Sequence, residues 1–248
     1  MRTITNYNGE KTVLDTDMAS YGKYLNGGYK DLKGTDLGQH AQVGRDLLTE
    51  PKKVLKPSDK LIYATIKLYQ SSKTGKSACR MSKLASKTGY KEKKINNAVQ
   101  KLEKLGYLSI EKIPTQVQIG PFEWQATSFN LYSFPIIPEQ FENFTAYFLV
   151  DNTRMTNSTR EFLLLLMPFL MRNDTFWLNN TTLSKNVGLD VKTVRKNITE
   201  LEGLGYLSIL EDAPYRVLDT KAIMFDAYQT ALDERAEMEA ELAKLKAK

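Results

Sequence analysis

MSKLASKTGYKEKKINNAVQKLEKLGYLSI, residues 81–110, aligns without gaps to NTTLSKNVGLDVKTVRKNITELEGLGYLSI, residues 180–209, at a constant offset of 99. Leu84, Gly89, Lys93, Leu102, Glu103 and Leu105 recur as Leu183, Gly188, Lys192, Leu201, Glu202 and Leu204, and Gly106 to Ile110 recurs unchanged as Gly205 to Ile209. Two copies are too few for a solenoid, which needs about three or more. The repeat therefore indicates paired domains.

Each copy reads as the same series of elements. In the first, Ser58-Asp59 offers an N-cap to a helix with Leu61, Ile62, Ala64, Thr65, Leu68 and Tyr69 on one side. Ser71 to Ser77 reads as a loop. Ser82 is expected to cap a short helix that stops at Gly89, where a corner needs positive φ. A longer helix from about Lys91 to Leu105 buries Ile95, Ala98, Val99, Leu102 and Leu105, and Gly106 ends it. Tyr107 to Ile113 and Thr127 to Ser133 form a hairpin across a long connection, Pro114 to Ala126. In the second copy, Ser158 or Thr159 caps a helix through about Met171, and Thr175 to Leu178 is a short strand. Thr181 caps the helix that ends near Gly188. Asp190 to Leu204 is the next helix, and Tyr206 to Glu211 with Arg216 to Leu218 makes a shorter hairpin.

Helix, helix, glycine corner, helix and hairpin is the order of a winged helix-turn-helix. LIYATIKLY (61–69), LASKTGY (84–90) and LEKLGYL (102–108) resemble the winged-helix domains of phage and plasmid replication proteins and bacterial regulators, over roughly 55–133 and 158–219. The expected fold is mainly α with small β-wings (α+β): two tandem winged helix-turn-helix domains plus a C-terminal helix. The expected segments are a mobile N-terminal arm (1–50), domain one (51–134), a linker with domain two (135–220) and the helix (221–248). The resemblance implies sequence-specific binding of double-stranded DNA. It points first to replication initiation at an origin of a phage, plasmid or mobile element, next to transcription regulation, and last to a protein-interaction adaptor.

Charge placement supports DNA as the partner. The chain of 248 residues carries +6, from 35 Lys+Arg against 29 Asp+Glu, so location matters more than size. Lys73 to Lys104 holds ten basic and two acidic residues, whereas Arg172 to Gly203 holds five and four. Candidate DNA contacts in the first copy are Lys83, Lys87, Lys91, Lys93, Lys94, Asn96, Asn97 and Gln100. Lysines attract phosphates without regard to sequence, while Asn and Gln pair with adenine edges. In the second copy the candidates are Lys185, Lys192, Thr193, Arg195 and Lys196, with Thr199 on the same face and Arg195 suited to guanine. Phe122 and Trp124 in the first hairpin fit packing against a neighbouring domain better than base stacking.

Other functions find little support. One cysteine, Cys79, and one histidine, His40, exclude an internal disulfide framework and leave almost nothing for a metal site. Thr74-Gly75-Lys76-Ser77 looks like the end of a phosphate-binding loop, but Gln70 stands where glycine is needed and a helix precedes it. No catalytic residues, cofactor or metal are expected. The start lacks the apolar segment of a secretory signal, and Phe162 to Leu170 is too short to span a bilayer, so a cytoplasmic protein without a membrane partner is expected. Phe141 to Val150 (FENFTAYFLV) is assigned to domain two. The C-terminal helix carries Tyr228, Leu232, Met238, Leu242 and Leu245 as a stripe that either dimerises or folds back. A homodimer, and recruitment of replication or transcription machinery, complete the expected partners.

Overall fold

The computed structural model describes residues 2–5, 11–14, 40–118, 124–135, 139–146, 154–171, 174–177, 179–209 and 215–246. The strands are β1 (Arg2–Thr5), β2 (Lys11–Leu14), β3 (His40–Gly44), β4 (Lys76–Cys79), β5 (Ser109–Gln118), β6 (Trp124–Ser133), β7 (Phe141–Thr145), β8 (Thr175–Trp177), β9 (Leu207–Ile209) and β10 (Tyr215–Leu218). The helices are α1 (Arg45–Thr49), α2 (Pro57–Leu68), α3 (Met81–Thr88), α4 (Glu92–Lys104), α5 (Asn157–Leu166), α6 (Asn180–Val187), α7 (Val191–Gly203) and α8 (Thr220–Lys246). The chain divides into two compact units. One is Gln39–Asp151 with Arg160–Pro168, and the other is Met1–Gly38 with Asn152–Thr159 and Phe169–Lys248.

In the unit built on the first copy, every residue of α2 is buried. Pro57 opens the helix, where its missing N–H costs nothing. Its cap differs from the expected one: Lys56 is the N-cap residue, and Asp59 Oδ2 accepts the Lys56 backbone N–H at 3.0 Å. The buried Lys60 ammonium donates to the Leu48 and Glu50 carbonyls at 2.7 and 2.6 Å, and burial lowers its pKa to about 8. Thr65 donates to the Leu61 carbonyl, and Tyr63 meets Tyr107 and Phe134 edge-on.

Part of the expected arm belongs to this unit. β3 and α1 place Ala41, Val43, Leu47 and Leu48 in the core, so His40–Thr49 is packed into this unit and is not part of a mobile arm. The preceding residues 15–39 lie outside the described ones. Phe141–Thr145 is likewise reassigned: β7 pairs antiparallel with β3, Ala41 opposite Phe144, which puts it with the first copy and not with the second.

The expected loop Ser71 to Ser77 ends in a strand, because β4 pairs with β6 and the Ser77 hydroxyl donates to the Ile66 carbonyl. Thr74-Gly75 therefore lies in a turn and Lys76-Ser77 opens β4, with Gly75 at φ 65° and its carbonyl accepting from Gln70 Nε2. Cys79 is buried on β4. The sheet order is β4-β6-β5, and β5 and β6 run ten residues each, far beyond the expected hairpin. Pro114 does not break β5, because β5 is an edge strand and tolerates a missing donor. Phe122 lies outside the described residues, as does the side chain of Trp124.

The offset of 99 holds in three dimensions. α3 and α6 begin and end at equivalent positions, and so do α4 and α7. Their corners, Gly89 and Gly188, have φ 67° and 66°. Both long helices close in one motif: Gly106 N–H donates to Glu103 O and Tyr107 N–H to Leu102 O, matched by Gly205 to Glu202 and Tyr206 to Leu201. The caps fall earlier than expected. Arg80 and not Ser82 is the N-cap of α3, and Asn179 rather than Thr181 caps α6, its Oδ1 accepting from the Thr181 and Thr182 amides. Asp190 caps α7 through the Thr193 amide at 2.8 Å.

Around the second copy the sheet order is β8-β10-β9, and β1 and β2 form a separate hairpin. α5 ends at Leu166 and passes into a 3₁₀ turn, Met167–Phe169, at Pro168. α8 buries Ala222, Ile223, Phe225 and Ala227 near its start, where Asp226 accepts from Tyr206 Oη and pairs with Arg154. The side chains of Tyr228, Met238, Leu242 and Leu245 lie outside the described ones.

A Cβ on Gly188 would meet nothing within 4 Å, so the corner selects glycine by φ alone. Gly188→Ala should then cost about 1–2 kcal/mol, and Gly188→Asn less, because asparagine tolerates this region. Urea unfolding of both variants checks this. Equal stability of Gly188→Ala and wild type would remove the requirement for glycine there.

Candidate nucleic-acid interface

Helix α4 presents three surfaces. Ile95, Ala98, Val99 and Leu102 point into the core. Opposite them, Lys93, Asn96, Asn97, Gln100 and Lys104 are exposed on one outward strip. Between strip and core runs a flank that faces the start of α2. It carries Lys91, Lys94 and Lys101, and Lys101 Nζ lies 3.1 Å from Asp59 Oδ2.

The corner before α4 is held by two charged side chains. Arg160, fully buried, donates through Nη2 to the Thr88 carbonyl at 2.9 Å and through Nη1 to that of Lys87 at 3.3 Å. These are the closing carbonyls of α3, where a cation is favoured by the helix dipole. The Tyr90 hydroxyl donates to Glu161 Oε1, and Lys94 Nζ sits 3.6 Å from the centre of the Tyr90 ring. Lys94 is thus oriented by an aromatic face and a nearby carboxylate, whereas Lys93 projects outward. Burial holds the Glu161 carboxyl above its ordinary range, against the opposing pull of the Tyr90 hydrogen bond, Lys94 and Arg160, with Asp59 adding to the rise. Burial and the Glu161 charge push the Tyr90 phenol upward in turn.

The other sequence candidates fall in separate places. Lys83 is exposed on α3, its ammonium 4.0 Å above the Tyr69 ring, and Lys87 is half-buried at the end of that helix. In the second copy Val194, Asn197, Ile198 and Leu201 face inward on α7, where Asn197 Oδ1 accepts from the Ser158 hydroxyl at 2.9 Å. Lys192, Arg195, Lys196 and Thr199 are exposed on its outward strip, and Lys185 is exposed on α6. The Thr193 hydroxyl is committed to Asp190 Oδ2 at 2.6 Å. Four residues of consequence escaped the sequence reading: Lys56, Lys101, Arg160 and Glu161. The repeat held a signal for two of them: Lys101 aligns with Glu200, and because α2 and α5 start 100 residues apart, Glu161 falls opposite the apolar Leu61, whereas Arg160 falls opposite another buried base, Lys60.

The sequence model of a helix-turn-helix domain matches the chain twice, over residues 53–108 and 153–207. Both copies are helix-turn-helix domains. No curated protein and no solved structure matches the chain. A helix-turn-helix sets its second helix into the major groove of DNA, which makes the outward strips of α4 and α7 the surfaces that would face nucleic acid. Among the described residues, no cluster of His, Cys, Asp and Glu could hold a metal ion, and no helix is long and apolar enough to cross a membrane.

The buried carboxyl gives a pH signature. Because the folded-state pKa of Glu161 lies above the unfolded value, the native state binds this proton more readily, and stability from this group rises as pH falls toward 4.5. The melting temperature of wild type minus that of Glu161→Gln should increase as pH is lowered from 7 toward 4.5. A difference that stays flat would show that Glu161 is solvated like a surface carboxylate.

Proposed function

We propose that the chain is a sequence-specific binder of double-stranded DNA without catalytic activity, working through both helix-turn-helix copies. The observation that carries this reading is the outward strip of α4, where two Asn, one Gln and two Lys stand exposed on the second helix of the motif. The amides supply donor and acceptor pairs for base edges, and the lysines attract phosphate. On α7, Arg195 offers a bidentate guanine contact, with Lys192 and Lys196 beside it. The long β5–β6 hairpin serves as a wing along the sugar-phosphate backbone.

For the biological role we favour replication initiation at an origin of a phage, plasmid or mobile element, with recruitment of replication machinery. This rests on the resemblance of the tandem arrangement to such initiators. A transcription regulator would use the same contacts at a promoter or operator.

Genomic fragments retained by the purified full chain, once sequenced, test the reading. It expects enrichment of one or two sites, whose position at an origin or a promoter then separates the two roles. Retention without enrichment would favour a protein adaptor. Lys93→Glu with Lys104→Glu should lower affinity steeply and flatten its salt dependence by about 0.9 log units per lost phosphate contact. Asn96→Ala should instead cost about 1–3 kcal/mol at the preferred site and relax the preference at one base pair. Lys94 is left out of the charge reversal because a glutamate there would face Glu161.

A further inference from the structure

Lys56, Lys91, Lys93, Lys94 and Lys101 line one open cavity of roughly 410 Å³ between the start of α2 and the flank of α4. Asp59 is the only acid lining it among the described residues, and its Oδ2 is already shared between the Lys56 amide and the Lys101 ammonium. Even with Glu161 beside Lys94, five ammonium groups against two carboxylates leave an excess of positive charge. Such an excess disfavours the compact state by self-repulsion unless an anion offsets it.

The second copy is an internal control. At the offset of 99, Lys91, Lys94 and Lys101 become Asp190, Thr193 and Glu200, and Lys93 is kept as Lys192, while Lys56, the residue before α2, corresponds to Thr156, the residue before α5. The equivalent helices α6 and α7 nevertheless form at the same positions. The lysines are therefore not what the fold requires. Moreover, the second copy fills the corresponding place from within. Glu200 accepts from the Thr156 amide at 2.6 Å and its hydroxyl at 2.9 Å, and Asp190 takes the Thr193 amide and hydroxyl. Where one copy carries its own carboxylates, the other carries lysines around an opening.

The geometry points to a phosphate-binding site in this cavity, present in the first copy alone and separate from the outward strip of α4. Lys56, Lys91, Lys94 and Lys101 hold the phosphate, with Lys93 and Asn97 at the rim shared with the strip. Two sources offer this chemistry: a phosphodiester of the bound duplex, in which case the site rests on the DNA-binding reading above, or a free phosphorylated molecule, in which case it does not.

The test uses the full chain, Lys56→Gln with Lys101→Gln, and Lys56→Gln alone, which leaves the Asp59–Lys101 pair intact should the double variant fold poorly. Inorganic pyrophosphate, titrated by calorimetry, should bind wild type and weaken at least about fivefold in the double variant. Duplex DNA is titrated between 50 and 200 mM salt. Loss of two phosphate contacts makes the decline in affinity about tenfold smaller than in wild type, with the preferred DNA site unchanged. If pyrophosphate binding falls while the DNA isotherms coincide, the phosphate comes from a free ligand and the site stands. Should wild type bind no DNA yet lose pyrophosphate on substitution, the DNA reading fails and the cavity survives it. Unchanged binding of both probes in folded variants overturns the site, as does failure of pyrophosphate to bind wild type with a DNA salt dependence equal in all three proteins.

Discussion

Burial of α2 along its whole length is the constraint on which the first unit depends. A helix enclosed on every side must satisfy each polar group it carries, and α2 carries Ser58, Asp59, Lys60, Thr65 and Lys67. The partners they find are the neighbouring elements. Lys60 ties down the end of α1, Asp59 reaches Lys101 on α4, Lys67 lies over the Phe134 ring, and the Ile66 carbonyl receives Ser77 of β4. With α4 docked by its apolar stripe and by Lys101, its opposite strip has only solvent to face. The exposure of Asn96, Asn97 and Gln100 thus follows from how α2 is enclosed.

Much of this is legible in the amino-acid sequence. Gapless alignment of the copies carried the fold, because a glycine corner with positive φ and a glycine close to the long helix recur at one spacing. The outward residues of α4 and α7 could also be read, since a 3.6-residue period separates inner from outer positions. Pairings between distant segments could not. FENFT joins β3 at the far end of the first copy, and nothing local in its composition marks that partner. Pro114 read as a break because an edge strand cannot be told from a central one in sequence. The strand Lys76–Cys79 was within reach: shifting the expected strand Thr175 to Leu178 by the repeat offset lands on it. The lysine cavity joins Lys56 to a helix that begins at Glu92, so helical periodicity alone left it hidden.

The two copies show how one backbone supports different surroundings. Tyr107 and Tyr206 occupy the same place in the repeat, and each phenol donates to an acid that the repeat itself does not contain, Glu50 in one case and Asp226 of α8 in the other. Burial and the neighbouring Glu50 push Tyr107 up to about 12, so its hydroxyl remains a donor at physiological pH. An equivalent anchor thus ties each copy to a flanking segment of different sequence and structure. Flanks could diverge as long as each supplied one carboxylate at that point.

Cys79 has a consequence of another kind. It is the single thiol of the chain, 2% exposed on the strand that closes the sheet of the first copy. A thiol reagent can reach it only when that strand lifts away, so the rate of labelling in native buffer counts openings of this unit. The chain carries a built-in clock for local unfolding of one repeat, silent toward the other, without any engineered probe.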